Sequence, residues 1–370
     1  MEKIKLEKNM LKVFLVAGAR PNFMKIAPVL HQMKKYPDRF HPVFVHTGQH
    51  YDVKMSGVFL RDLGLPEPDI TLGAGSGSHA QQTARVMIAF EKVLMEDRPD
   101  LIVVVGDVNS TMACAIAAAK LRIPVAHVEA GLRSGDRTMP EEINRIVTDQ
   151  LADYLFTSIE DVDENLIREG IPRERIHFVG NVMAESLLKC GPKIEESRIL
   201  EKFALRKREY ALTTLHRPSN VDDRDDFLDI MDALNEIQQD IIVVFPAHPR
   251  TQKQIKAFGL KTLNNRLILT DPLSYFDFLA LEKNALFVIT DSGGIQEETT
   301  LFDVPCLTIR ENTERPITIT EGTNILVGTK SGAIVSESRK ILAGKQKSGK
   351  IPLYWDDKVS ERIVEVFSNI

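Results

Sequence analysis

Short apolar runs alternate with helix-period stretches along the whole chain, and this alternation constrains the fold more than any other feature. The first series is Lys12–Ala17, Pro42–His46, Leu101–Val105, Pro124–Val128, Tyr154–Phe156 and Ile176–Val179. Strand-length apolar runs separated by helical patterns are the mark of parallel strands covered on both faces. A second series follows at Tyr210–Leu215, Ile241–Phe245, Arg266–Leu269, Leu286–Thr290, Pro305–Ile309 and Asn324–Leu326. Between about Leu187 and Arg208 the sequence turns charged and loses its apolar runs, which places a junction at or just before that stretch. The expectation is an α/β chain of two Rossmann-like, doubly wound parallel-sheet domains, 1–185 and 186–355. In the final stretch, Asp356–Ile370, Val359, Ile363, Val364 and Phe367 recur at helical spacing and predict one amphipathic helix. The pattern alone leaves open which domain it covers.

Composition narrows the function classes. The 370 residues exceed one ordinary core, and 43% hydrophobic with 27% charged residues mark a soluble globular protein. A formal net charge of -5 provides no basic field for nucleic acid, so any phosphate site must be a local collection of cations. Cys114, Cys190 and Cys306 are far apart and odd in number, which fits neither a disulfide framework nor a metal cluster and favours a reducing cytoplasm. No apolar run reaches membrane-spanning length, so no membrane partner is expected. Met1–Met10 is mostly charged and reads as a short extension, not a signal peptide.

The unusual polar residues fall just after strands, in both halves. Arg20 and Asn22 follow the first run, Gln49 and His50 the second, Asp107 the run LIVVV, and Glu129 the run PVAHV. In the second half His216 and Arg217 follow YALTTL, His248 and Arg250 follow IIVVF, Asp291 and Ser292 follow LFVIT, and Arg310 follows PCLTI. Strand carboxyl ends of a doubly wound sheet share one edge, so two such domains facing each other would make one polar cleft.

The chemical centre is His127–Arg145, where acids, arginines and glycines lie between a strand and a helix. Glu129 stands at a strand's carboxyl end, and Pro140 opens a helical pattern with Glu141 and Glu142 in its first turn. Such a pair also suits simple helix-dipole complementation, and Glu142 is left to that role. Arg133, Arg137 and Arg145 read as residues that hold this loop and its acids. Asp291–Glu298 is a strand, a glycine pair and a helix start, which suits a diphosphate at Ser292, Gly293 and Gly294 with Glu298 accepting from ribose hydroxyls. Gly18–Lys25 repeats the logic, with Arg20 and Lys25 as phosphate cations. Thr214–Pro218 joins an imidazole to a guanidinium after a strand, apt for negative charge on a leaving phosphate. The Gly/Ser patch Gly73–Ser78 reads as a flexible loop. No G-x-G-x-x-G follows a strand, and there is no P-loop, zinc-protease helix or serine elbow. No metal and no cofactor is expected; the acid/base equipment is Asp107, Glu129 and Glu141.

The chain resembles the non-hydrolysing UDP-N-acetylglucosamine 2-epimerase family nearly end to end. The carriers are GARPNFMKIAPV (18–29), GQH (48–50), GDVNST (106–111), HVEAGLRSGD (127–136), PEEINR (140–145), LHRP (215–218), AHPR (247–250), TDSGGIQEE (290–298) and ERP (314–316). Gln49-His50-Tyr51 and His216-Arg217-Pro218-Ser219 depart from the family's common Gln-His-Arg and His-Arg-Arg-Glu. The resemblance implies a GT-B-like fold, with the C-terminal helix 356–370 returning to the first domain, and a cytoplasmic homodimeric isomerase serving polysaccharide biosynthesis. It implies that UDP leaves UDP-GlcNAc to give 2-acetamidoglucal and re-adds to give UDP-ManNAc. Motif by motif, it implies Asp107, Glu129, Glu141 and His216 as catalytic residues. Arg20, Lys25, Gln49, His50, Arg217, His248, Phe278, Ser292, Gly293, Gly294, Glu298 and Arg315 are then substrate-binding. A related branch acts on UDP-2,3-diacetamido-uronic acids, and a hydrolysing 2-epimerase or a GT-B glycosyltransferase would share much of the equipment.

Overall fold

A computed structural model describes residues 10–48, 60–259 and 266–370. The extension before residue 10 and the pair Gln49 and His50 lie outside the described residues. Contacts divide the chain into two units, Met1–Lys189 with Leu353–Ile370, and Cys190–Pro352.

The first unit is built on β1 (Leu11–Ala17), β2 (Phe40–His46), β3 (Ile70–Thr71), β4 (Leu101–Val105), β5 (Val125–Ala130), β6 (Tyr154–Thr157) and β7 (Ile176–Phe178). Among the described residues they form one sheet in the order β3-β2-β1-β4-β5-β6-β7, every pairing parallel. All five residues of β4 are buried, as a central strand covered on both faces requires. The edge strand β3 has only two residues, one of them exposed, so it carries no apolar run to be read from sequence. The second unit repeats the plan with β8 (Tyr210–Thr214), β9 (Ile242–Pro246), β10 (Leu267–Thr270), β11 (Phe287–Thr290), β12 (Cys306–Thr308) and β13 (Asn324–Leu326). Its order is β10-β9-β8-β11-β12-β13, again all parallel.

These orders set where each unit can bind. The chain winds outward from β1 through β2 to β3, then returns to place β4 on the other side of β1. Loops leaving β1 and β4 therefore diverge and open a crevice at their carboxyl ends; β8 and β11 do the same in the second sheet. The polar residues singled out after strands are those four loops and their neighbours.

Helix starts fix these loops. Ser78 accepts a hydrogen bond from Gln81 N, and the Gln81 side chain accepts from Ser78 N, a capping box that anchors the Gly/Ser patch expected to be a loose loop. In the buried helix Asn109–Lys120, Ala113, Cys114, Ala115, Ala117 and Ala118 allow close approach to the sheet. Cys114, Cys190 and Cys306 are free and buried. No described helix is long and apolar enough to cross a membrane.

The C-terminal helix runs Val359–Phe367, shorter than the Asp356–Ile370 pattern because Asp356 turns the chain by accepting from Lys358 N at 3.0 Å. It packs within the first unit. Phe367 meets Phe156 edge-on at 5.3 Å between ring centroids, and Trp355 donates to Ser158 O at 3.2 Å. Ser360 donates from both its backbone N and its hydroxyl to Glu185, each at 2.6 Å.

Candidate active site

At the first switch point β1 gives way to the helix Arg20–Met33, whose Pro21 pre-sets the first turn. Asn22 Nδ2 donates to Val105 O at 2.6 Å, tying this helix to the end of β4. Lys25, one turn into the helix, forms a buried ion pair with Glu129. Lys25 is thus engaged by a carboxylate, where sequence reading made it a phosphate cation. Arg20 is the helix's first residue; its side chain is outside the described set.

Glu129 has the most constrained backbone in the site. It lies where β5 slips register against β6, and its φ is +73°. A side chain in the left-handed region costs roughly 1–3 kcal/mol, which the surrounding structure must offset. The slip turns the carboxylate toward the end of β4. Gly106, with φ +66°, accommodates it: a Cβ there would lie 2.9 Å from Lys25 Nζ and 3.4 Å from Glu129 Oε2. Behind Glu129, the buried His127 ring lies 2.6 Å from Asp149 Oδ1 through Nδ1 and 2.8 Å from Gly106 O through Nε2. Burial pushes the Asp149 carboxyl up, but the His127 and Arg133 contacts outweigh it and hold it below the usual range. Asp149 also accepts from Gly131 N at 3.1 Å, so one buried acid fixes both ends of the Glu129 segment.

The loop after Glu129 is held by a residue that sequence reading gave a bland role. Glu142 accepts from Ser134 N at 2.9 Å, Ser134 Oγ at 3.0 Å and Gly135 N at 3.0 Å, and pairs with Arg145. It is a loop clamp more than a helix-dipole complement. Burial raises its pKa, but the two backbone donors and Arg145 prevail and the net shift is downward. Arg145 also donates to Asp107 Oδ2 at 2.7 Å, and Asn144 Nδ2 to Asp107 O at 2.9 Å. Arg133 pairs with Asp149 and Glu169. Glu141, beside Glu142 but half-buried, has no hydrogen-bonding or ionic partner among the described residues. Asp107, Glu129 and Glu141 therefore share one neighbourhood of the first unit, two of them in ion pairs and the third unengaged.

At the second switch point the buried Asp291, at the end of β11, organises the loop after β8. It accepts from His216 N at 3.0 Å and Arg217 N at 2.9 Å, and His216 Nδ1 lies 2.8 Å from its other oxygen. Burial raises the Asp291 pKa; the His216 ring and these N–H donors bring it below the usual carboxylate range. His216 is thereby oriented through Nδ1 while its ring stays half exposed. His248 caps the helix Pro249–Ala257 by accepting from Arg250 N at 3.3 Å. Burial first, then the neighbouring His216 and Arg250, lower its pKa.

Ser292 is the N-cap residue of the helix Gly293–Leu301, and its hydroxyl makes no capping bond, so the first N–H groups are not closed off by it. A Cβ at Gly293 would lie 2.6 Å from Glu314 Oε1 and 2.7 Å from Arg315 Nη1, whereas Gly294 has nothing nearer than Ser292 Oγ at 4.0 Å. Arg310, Arg315 and Arg217 gather round the buried Glu314 at 2.8, 2.7 and 3.6 Å. Burial opposes charge on Glu314, but these three guanidiniums hold its carboxyl far below the usual range. Arg315 also reaches Glu297 Oε1 at 2.9 Å. The helix start thus sits beside three guanidiniums that share two carboxylates, Glu314 and Glu297, and this excess of cations suits a diphosphate. Glu298, on the next turn, accepts from Tyr275 Oη at 3.0 Å. Phe278 is half-buried on the helix Tyr275–Asn284. Glu314 and Glu142 were missed as organisers because a carboxylate that binds arginines and one that binds a ligand look alike in sequence.

The model of the UDP-N-acetylglucosamine 2-epimerase family matches residues 31–368. The chain is 42% identical over 366 residues to the UDP-N-acetylglucosamine 2-epimerase of Methanocaldococcus jannaschii, covering 97% of this chain and 99% of that protein. It is 40% identical over 364 residues to the UDP-2,3-diacetamido-2,3-dideoxy-D-glucuronate 2-epimerase of Pseudomonas aeruginosa, covering 97% and 100%. The crystal structure of Methanocaldococcus jannaschii UDP-GlcNAc 2-epimerase in complex with UDP-GlcNAc and UDP superposes with a TM-score of 0.87 at 40% identity, covering 97% of this chain and 100% of that one. A lipopolysaccharide outer core galactosyltransferase shares the GT-B-like fold alone, with a TM-score of 0.58 at 14% identity over 98% of this chain and 100% of that one.

Proposed function

The chain belongs to the UDP-N-acetylglucosamine 2-epimerase family, and from that premise we propose that it interconverts UDP-GlcNAc and UDP-ManNAc without hydrolysis. The observation that carries this reading is the division of equipment. The first unit gathers Asp107, Glu129 and Glu141 with Lys25 and Arg145. The second offers an open helix start beside Arg217, Arg310 and Arg315. Epimerisation at C2 needs both. The C2 proton of such a sugar is not acidic, so a base must remove it as the C1–oxygen bond breaks and the electron pair leaves with UDP. The product is 2-acetamidoglucal. UDP then adds back at C1 while an acid delivers a proton to the opposite face of C2.

In this scheme Asp107, Glu129 and Glu141 supply the proton traffic. The ion pairs of Glu129 with Lys25 and of Asp107 with Arg145 hold these two carboxyl groups in place. Arg217, Arg315 and the N–H groups at Gly293 and Gly294 stabilise the departing diphosphate, and His216, oriented by Asp291, faces the leaving group. Glu298 accepts from the ribose, and Phe278 lines the base. Arg20 and His248 complete the phosphate contacts, and Gln49 and His50 the sugar end. The same reading makes the protein a cytoplasmic homodimer that supplies an activated amino sugar for polysaccharide synthesis.

The test is incubation with UDP-GlcNAc alone in D2O. Deuterium at C2 of both sugars and appearance of UDP-ManNAc are expected; absence of both overturns the proposal. Free ManNAc with UDP would mark a hydrolysing enzyme, and sugar transfer only after adding an acceptor would mark a transferase. The 40% identity to the Pseudomonas aeruginosa relative favours one second reading, a 2,3-diacetamido-uronate substrate. Exchange at C2 only with the 3-acetamido uronate sugar would select it.

A further inference from the structure

The helix Tyr275–Asn284 carries an acid that no motif singled out. Glu282 is fully buried, and among the described residues neither of its carboxyl oxygens meets an N–H or hydroxyl donor. The group its carboxyl faces is the carboxyl of Glu298, itself 7% exposed. Two ionised carboxylates only accept, so a hydrogen bond between them requires a proton on one. No described Lys, Arg or His pairs with either acid. The other titratable groups facing them are neutral donors or thiols: Tyr275 Oη, 3.0 Å from Glu298 Oε1, and the buried Cys306 and Cys190.

We infer that Glu282 holds this proton and donates it to Glu298, fixing Glu298 as the acceptor for the ribose hydroxyls of a uridine nucleotide. The inference rests on the nucleotide reading above. Glu298 then receives one hydrogen bond from Glu282 and one from Tyr275, which fixes its carboxyl plane and leaves acceptor capacity for a vicinal diol. The pair carries one negative charge in place of two beside a diphosphate, so binding avoids the repulsion of a second buried anion. Burial, then the neighbouring Glu298 charge, push the Glu282 pKa well above the ordinary carboxyl value. The sign follows: the shared proton is held as long as the pH stays below the raised pKa of Glu282, and nucleotide affinity falls as rising pH strips it. In the unfolded chain both acids ionise near pH 4.3. The folded chain therefore loses stability between that pH and the pair's own pKa, through binding more protons than the unfolded chain.

Glu282 is thus a positioning residue, and two measurements test it. In the ligand-free protein, infrared spectroscopy should show a protonated-carboxyl C=O band at neutral pH that disappears in Glu282→Gln. UDP titration across pH should show wild-type affinity falling on the alkaline side. Glu282→Leu, which removes the donor, should bind UDP about tenfold more weakly, equivalent to about 1.4 kcal/mol. Glu282→Gln, whose amide still donates to Glu298, should recover most of that loss and have no alkaline fall. The inference is overturned if the infrared band is absent or survives in Glu282→Gln. It is equally overturned if Glu282→Leu binds UDP with wild-type strength and pH profile. A wild-type protein that shows the band but does not bind UDP would sink the nucleotide reading and leave the shared proton standing.

Discussion

At the residue scale, the site is decided by which acids are engaged and how. Glu129 and Asp107 are each paired with a cation, whereas Glu141 is unengaged among the described residues, although all three were equal candidates in sequence. Glu129→Gln, Asp107→Asn and Glu141→Gln are each expected to cut C2 exchange by roughly 10²–10⁴-fold. Thermal stability separates the three. Glu129→Gln strips the charge partner from Lys25, and Asp107→Asn removes one of the two that Arg145 holds, the other being Glu142, so both should lower the unfolding temperature, Glu129→Gln the more. Glu141→Gln breaks no pairing among the described residues and should leave it unchanged. Near-normal exchange in Glu141→Gln would return that residue to a helix-start role. The existence of these acids was legible because each follows a strand or opens a helix. Their partners were not, since Lys25 and Glu129 are 104 residues apart and meet only once β1, β4 and β5 lie side by side.

At the scale of elements, the strand runs were the most legible part of the chain, because buried parallel strands are apolar on both faces and stand out against their flanks. The two-residue β3 left no such trace, and neither did the register slip that gives Glu129 its positive φ. A slip depends on what the neighbouring strand permits, which a single strand's sequence does not encode. The capping box at Ser78 and Gln81 was legible in principle from its spacing, but the glycines around it read more strongly as a loop. The helix start at Gly293 was legible as an anion site; why its first glycine is needed was not. That glycine makes room for the Glu314–Arg315 pair, not for a ligand alone. Gly293→Ala would set a methyl 2.6 Å from Glu314 Oε1, and the pair must move away from the helix start to admit it. The expected result is UDP affinity lower by roughly tenfold or more, about 1.4 kcal/mol. Gly294→Ala, with nothing nearer than 4.0 Å, serves as the comparison and should retain the fold of the loop. Equal UDP affinity in Gly293→Ala and wild type, measured by calorimetric titration, would show that the arginine cluster does not depend on that glycine.

On the scale of the whole molecule, the first unit is assembled from two distant pieces of chain, and the segment Leu353–Ile370 completes it. The amphipathic pattern announced a helix and left its place undecided, since an apolar stripe says that a helix is covered and not by what. The covering partners explain how much depends on it. Trp355, Val359, Ile363, Val364 and Phe367 are all buried, and burying each such side chain contributes about 1.5–3 kcal/mol. Five of them together reach the order of 10 kcal/mol, within the 5–15 kcal/mol that typically separates a folded domain from its unfolded state. Losing the segment would also leave Glu185 buried without the two donors of Ser360. Ending the chain at Pro352 is therefore expected to abolish cooperative folding of the first unit. The second unit, Cys190–Pro352, has its own core of β8–β13 and covering helices, including Phe227, Phe245 and Phe287, and should keep its transition. Differential scanning calorimetry of the truncated chain should show one transition, and limited proteolysis should spare a fragment beginning near Cys190. Retention of a cooperative transition for the first unit would mean that its sheet holds without the helix. The acid residues would then be independent of the C-terminus, and C2 exchange would survive the truncation; the packing of Phe367 against Phe156, on the strand beside β5, argues that it will not.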